Sequence, residues 1–211
     1  MQNELEMIQT LFQYKNFGLL PFPIKPFSQE LYANGEGYFL YKNALSGITI
    51  SEEKIYEYFG SKKLDNCGLI LGEKGNLSVI EFESESRISQ LITFIKNKPK
   101  PNISDVILIN LLESGFESET SILTPENKIQ MWFKFSKNIP NFHWEMFKDK
   151  KELNGINLLS NGYIVAPPSA IKLNNNNIAQ FEIINGKEPT KFPIEISFFF
   201  SIVYHKIIIN K

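Results

Sequence analysis

The chain has 211 residues, 43% hydrophobic and 21% charged, which suits one large domain or two small ones with a packed core and excludes a disordered chain. Its formal net charge of −1 creates no global basic field, so nucleic-acid binding would need a local basic groove. The one cysteine, Cys67, excludes an internal disulfide framework and a cysteine-rich zinc site, and fits a reducing cytoplasm.

The start, Met1-Gln-Asn-Glu-Leu-Glu6, lacks the basic residues and apolar run of a signal peptide. Leu5, Ile8, Leu11 and Phe12 recur at helical spacing and predict an amphipathic helix over about residues 3–16, closed by Asn16 and Gly18. Leu19 to Ile24 reads as a short strand, and Pro21 and Pro23 make it an edge or irregular one. Residues 26–50, rich in Gly, Asn and aromatics, read as a long loop with strand fragments. Ser51 is a suitable N-cap for a helix through Phe59, with acids in its first turn.

The run Gly68 to Glu83 follows, read as two apolar strands, Leu69–Leu71 and Leu77–Phe82, joined by a turn at Gly72, Gly75 and Asn76. Cys67, just before it, is expected in the core and not as a nucleophile, since neither His143 nor His205 lies near it in sequence. The second strand ends in Glu81-Phe82-Glu83. Residues two apart on a strand share a face, so both carboxylates point one way. Like charges this close are costly unless a cation sits between them, and a divalent ion with oxygen ligands is one remedy. An edge strand ending in two solvated glutamates is the other reading.

Ser86 to Lys96 predicts a helix, stopped at Lys98-Pro-Lys-Pro101. Lys96, Lys98 and Lys100 would suit phosphates or simply a solvated loop. Ser104 to Leu112 reads as a helix capped by Ser104 or as a buried strand, with helix preferred. Thr120–Thr124 and Ile129–Phe135 read as a hairpin across Pro125 to Lys128. Trp132 and Phe133 in it would stack on a base or fill the core. His143 to Lys150 suggests a short helix, and Ile156–Leu159 with Tyr163–Ala166 another pair of strands. Asn174 to Asn177 is an exposed turn before a strand over Ala179–Ile184, and Pro193 opens a last helix to about Ile209. That apolar segment, Phe192 to Ile209, is interrupted by Glu195, His205 and Lys206, so no membrane span is expected. It would cover the sheet or meet a partner. No repeat or clear linker divides the chain. The expected architecture is a single α+β domain over residues 1–211, a mixed sheet with flanking helices, with a core at about 5–185 and a C-terminal apolar helix at about 193–209.

The order of these features resembles the bifunctional primase–polymerase domain of the archaeo-eukaryotic primase superfamily, found in replication proteins of plasmids and phages. Gly18 to Pro23 matches an early Gly-x-x-x-x-Pro, and Cys67 to Gly72 a strand and glycine turn. Glu81-Phe-Glu83 stands at the family's Asp-x-Asp or Asp-x-Glu. Thr124-Pro-Glu-Asn-Lys-Ile-Gln130-Met-Trp-Phe133 stands at Thr-Pro-x-Gly-Gly-x-His plus an aromatic pair. Gly155-Ile-Asn157-Leu-Leu-Ser-Asn-Gly-Tyr-Ile-Val-Ala-Pro-Pro-Ser169 matches Gly-Ile-Asp-x-x-x-x-Gly-Tyr-Val-Val-Ala-Pro-Pro-Ser, and is the most specific block.

The resemblance implies a primase–polymerase-like fold. Glu81, Glu83 and Asn157 would take the places of three acids that hold Mg²⁺ or Mn²⁺ for nucleotidyl transfer. Gln130 would replace the histidine that contacts nucleotide phosphates, with Lys128 beside it restoring some positive charge. Two of these positions have lost their charge, because Asn157 is a neutral amide and Gln130 is never cationic. The expectation is a catalytically impaired replication protein that binds DNA, a nucleotide or a replication partner such as a helicase. The alternative is an active primase–polymerase with a Glu-x-Glu metal site.

Overall fold

The computed structural model describes residues 2–60, 65–118, 120–137, 154–174 and 176–194. It is an α+β structure that divides into two compact units. The first comprises Met1–Leu77, Thr124–Glu126 and Asn161–Ile183, the second Ser78–Leu123, Asn127–Ser160 and Ile184–Lys211.

In the first unit, helix α1 (Gln2–Asn16) buries Ile8, Leu11 and Tyr14, the apolar stripe that its spacing predicts. Strand β1 (Pro21–Ile24) pairs antiparallel with β2 (Asn66–Ile70), Pro21 opposite Leu69 and Pro23 opposite Cys67. On its other side β2 pairs with β7 (Tyr163–Ala166). The two prolines thus sit on an edge strand, where a missing N–H leaves no ladder bond unmade. Residues read as a loop contain helix α2 (Gly35–Leu45), which buries Leu40 and Ala44. Ser51 Oγ accepts from Lys54 N (3.3 Å) and caps helix α3 (Glu52–Ile55), whose end widens into a π-helical turn, Tyr56–Gly60.

The run Gly68 to Glu83 departs from its reading as adjacent paired strands. A four-residue helix, α4 (Gly72–Gly75), follows β2, and Asn76 in the left-handed region (φ 51°) redirects the chain into β3 (Ser78–Phe82). β2 and β3 join different sheets, and an isolated bridge, Gly72 to Leu77, lies in the connection outside both strands. Likewise β6 (Ile156–Leu159) pairs with β3, not with β7. The expected strand over Ala179–Ile184 is two strands, β9 (Ile178–Gln180) and β10 (Glu182–Asn185), separated at buried Phe181, and β9 pairs with β8 (Ala170–Lys172).

In the second unit, β3 lies between β6 and β5 (Ile129–Lys134), and β4 (Thr120–Leu123) follows β5 as the expected hairpin. A parallel pairing with β11 (Thr190–Lys191) makes this sheet mixed. Alternation sorts its side chains. Ile80 and Phe82 of β3, Ile129, Met131 and Phe133 of β5, and Ile156 and Leu158 of β6 form one core with helices α5 (Glu85–Lys96) and α6 (Ile103–Ser118). The cap of α6 is not Ser104. Asn102 Oδ1 accepts from Asp105 N and Asp105 Oδ2 from Asn102 N, both at 2.9 Å, a reciprocal cap. The expected helices over 143–150 and 193–209 lie outside the described residues but for the short start of the second.

A polar row across three strands of the second sheet

The face of the second sheet opposite the helices carries Val79 and Glu81 of β3, Gln130 and Trp132 of β5, and Asn157 of β6. The pairing sets Glu81 directly opposite Gln130 on one side and Asn157 on the other. Three of the residues singled out in the sequence therefore form one row, with Glu81 in the middle, and all three are buried.

The three side chains are joined by hydrogen bonds. Gln130 Nε2 donates to Glu81 Oε2 (2.9 Å), and Asn157 Nδ2 donates to Glu81 Oε1 (3.1 Å). Trp132 Nε1 donates to Gln130 Oε1 (3.1 Å). An indole N–H can only donate, so it holds the amide oxygen and leaves the amide nitrogen facing the carboxylate. Lys128 Nζ lies 3.6 Å from Glu81 Oε1. Trp132 and Phe133 are fully buried and serve packing and this network, so neither is a surface for stacking a base.

Glu83 lies just past β3. Its N–H bonds Gly155 O (2.8 Å). Gly155 has a φ of 76°, and a Cβ there would stand 3.0 Å from Glu83 Oε2 and 3.1 Å from Arg87 Nε. The Arg87 guanidinium donates from Nη1 to Gln90 Oε1 (2.7 Å). Arg87 was not singled out in the sequence, although it is the only arginine in the chain.

These residues do not fit a divalent-metal centre. Mg²⁺ and Mn²⁺ are held by oxygens aimed at the ion. Here the lone pairs of Glu81 are directed at two amide N–H groups and an ammonium, and Asn157 presents nitrogen to the row. Among the described residues no three His, Cys, Asp or Glu side chains gather as a possible metal site.

Elsewhere, Lys96 pairs with Glu113 (2.5 Å) and Lys98 with the buried Asp105 (2.5 Å), so two lysines of the basic run already face acids of α6. Cys67 is buried, and burial pushes its thiol pKa well up, which keeps it protonated near neutral pH and unsuited to nucleophilic work. No described helix is long and apolar enough to cross a membrane. The sequence matches no protein-family model and no curated protein.

Proposed function

We propose that the protein is a primase–polymerase-like replication protein of the plasmid or phage kind. In this reading its former metal site has become a closed hydrogen-bond network, and it acts in the cytoplasm as a non-catalytic module binding nucleic acid, a nucleotide or a replication partner such as a helicase. One observation carries the reading. Glu81, at the position of the family's first acid, has its two carboxylate oxygens engaged by the amides that replace the family's histidine and third acid. Two-metal nucleotidyl transfer needs anionic ligands holding ions that clamp the attacking and leaving oxygens. A carboxylate whose lone pairs face protein donors is a poor start for that chemistry.

The test is a template assay with nucleoside triphosphates and Mg²⁺ or Mn²⁺, with and without a primer. Neither synthesis nor extension is expected. Template-dependent extension that disappears in Glu81→Ala would overturn the proposal in favour of an active Glu-x-Glu polymerase. The binding arm is fluorescence anisotropy with a labelled single-stranded oligonucleotide at two salt concentrations. Binding that weakens with salt is the signature of phosphate contacts and selects nucleic acid over a protein partner.

A further inference from the structure

The first unit holds a cleft of about 350 Å³, the size of a small ligand's site. Its lining is the turn over residues 27–30, Glu126 and residues 171–174. Phe27 stands there with a φ of 53°, a left-handed backbone that a bulky residue rarely adopts. It is also 37% exposed. The turn is held from outside. Three consecutive carbonyls accept from three different strands: Phe27 O from Lys172 N of β8 (3.0 Å), Ser28 O from Asn66 Nδ2 of β2 (2.8 Å), and Gln29 O from Tyr163 Oη of β7 (3.0 Å). Such anchoring lets an unfavourable backbone persist, and residues held this way gather at ligand sites. The turn itself needs no phenylalanine, since glycine takes the same backbone at less cost.

The lining also selects a ligand chemistry. An exposed aromatic ring offers a face on which a flat partner stacks. Glu126 Oε1 accepts from Gln29 Nε2 (3.3 Å), which leaves most acceptor sites of the carboxylate open. Glu30 is already paired with Lys25 (2.9 Å). Lys172 and Asn174 complete the lining, both exposed. A carboxylate can only accept. Among the nucleobases, guanine alone sets two adjacent donors, N1–H and the 2-amino group, on its Watson–Crick edge; adenine sets an acceptor beside its donor. We infer that this cleft binds a guanine nucleotide, with the base on Phe27, its donor edge at Glu126 and its phosphate at Lys172. This deepens the proposed function and rests on its nucleotide-binding reading.

The experiment titrates GMP, AMP and guanosine into the full chain, followed by calorimetry and by amide chemical shifts. GMP should bind about tenfold more tightly than AMP, the discrimination of one bidentate pair. The shifts should gather at residues 27–30, 126 and 171–174. Glu126→Gln should abolish the preference for GMP. Lys172→Met should weaken GMP binding and leave guanosine binding unchanged. Phe27→Gly should lower GMP affinity about tenfold without lowering the urea midpoint, since it removes the stacking face and relieves the left-handed backbone. An oligothymidylate with one central guanine, set against one without, tells a base in a strand from a free nucleotide. A folded wild type that binds neither GMP nor the guanine strand overturns the inference and leaves the proposed function to its other ligands. Equal affinity for GMP and AMP, unchanged in Glu126→Gln, overturns it as well. An arginine-rich peptide bound in place of GMP, and lost in Glu126→Gln, assigns the cleft to a cationic protein partner instead. Template-dependent extension by a wild type that binds GMP in this cleft overturns the non-catalytic reading and keeps the cleft.

Discussion

Each unit buries polar side chains on a strand flanked on both sides, but they are used differently. In the first, Asn66 on β2 donates to Ser28 O and Ala170 O, both at 2.8 Å, and accepts from Ala170 N at 3.1 Å. Ser169 Oγ accepts from Cys67 N at 2.8 Å. These side chains satisfy backbone groups where the ladder ends, which any fold must do somehow. In the second unit, Gln130, Asn157 and Glu81 bond one another around a buried charge. The ladder of β3, β5 and β6 does not need them. A buried carboxylate with polar partners is generally no more stabilising than apolar side chains of the same shape. Its place in the middle of a sheet is therefore not accounted for by the needs of the backbone.

That contrast can be broken by mutation. Asn66→Ala removes three hydrogen bonds at a buried position and leaves backbone groups unsatisfied, so it should cost about 3 kcal/mol, read as a lower urea midpoint with unchanged slope. Gln130→Leu should cost about 2 kcal/mol, because Glu81 keeps its charge and loses a donor. Adding Glu81→Leu and Asn157→Leu should then recover stability rather than lose more, since the unpaired charge is gone. A triple variant as unstable as the sum of its singles would mean that the row is structural, like Asn66. Gly155→Ala should cost about 1–2 kcal/mol from its left-handed backbone, with extra strain where the new methyl meets Glu83 and Arg87. The cost should shrink in Arg87→Ala, where the space opens.

What was legible in the sequence follows the range of the interactions. Helices α1 and α5 and the β4–β5 hairpin are local patterns, a 3.6-residue apolar spacing or two strands around Pro125 to Lys128, and the structure has them. The row Glu81, Gln130, Asn157 was legible through the spacing of motifs and not through periodicity. Helix α2 was hidden by its glycines. Gly37 is there because the Tyr32 ring packs on it, a Cβ being only 2.5 Å from Tyr32 Cδ2, and such a contact has no local signature. The separation of β2 from β3 was hidden for the opposite reason, since strands close in sequence usually pair, and only the turn of α4 divides them. Arg87 escaped because it lies on a helix between motifs, and its nearness to Gly155 exists only once that residue is brought beside β3.

The two units should also differ in alkali. Burial raises the pKa of Cys67 and Tyr14, and of Tyr32, which additionally donates to Asp65 Oδ1 (2.6 Å); all three lie in the first unit. A group with a raised folded pKa lends its full stability below its unfolded pKa and loses it as pH climbs toward the folded value. For Cys67 the unfolded value is the ordinary 9.0, so the loss starts near that pH and continues upward. The unfolded thiol releases a proton that the folded thiol keeps, which lowers stability by about 1.4 kcal/mol per pH unit once ionisation in the unfolded chain is complete. Cys67→Ala removes one such proton. At neutral pH it should cost little, a small cavity in the buried sheet of the first unit. Above pH 9 the variant should lose stability less steeply than the wild type, and the two urea midpoints should converge as pH rises to 10.5. Parallel curves would show that the Cys67 thiol is not kept from ionising by the fold, and that the core of the first unit is more accessible to water than its burial indicates.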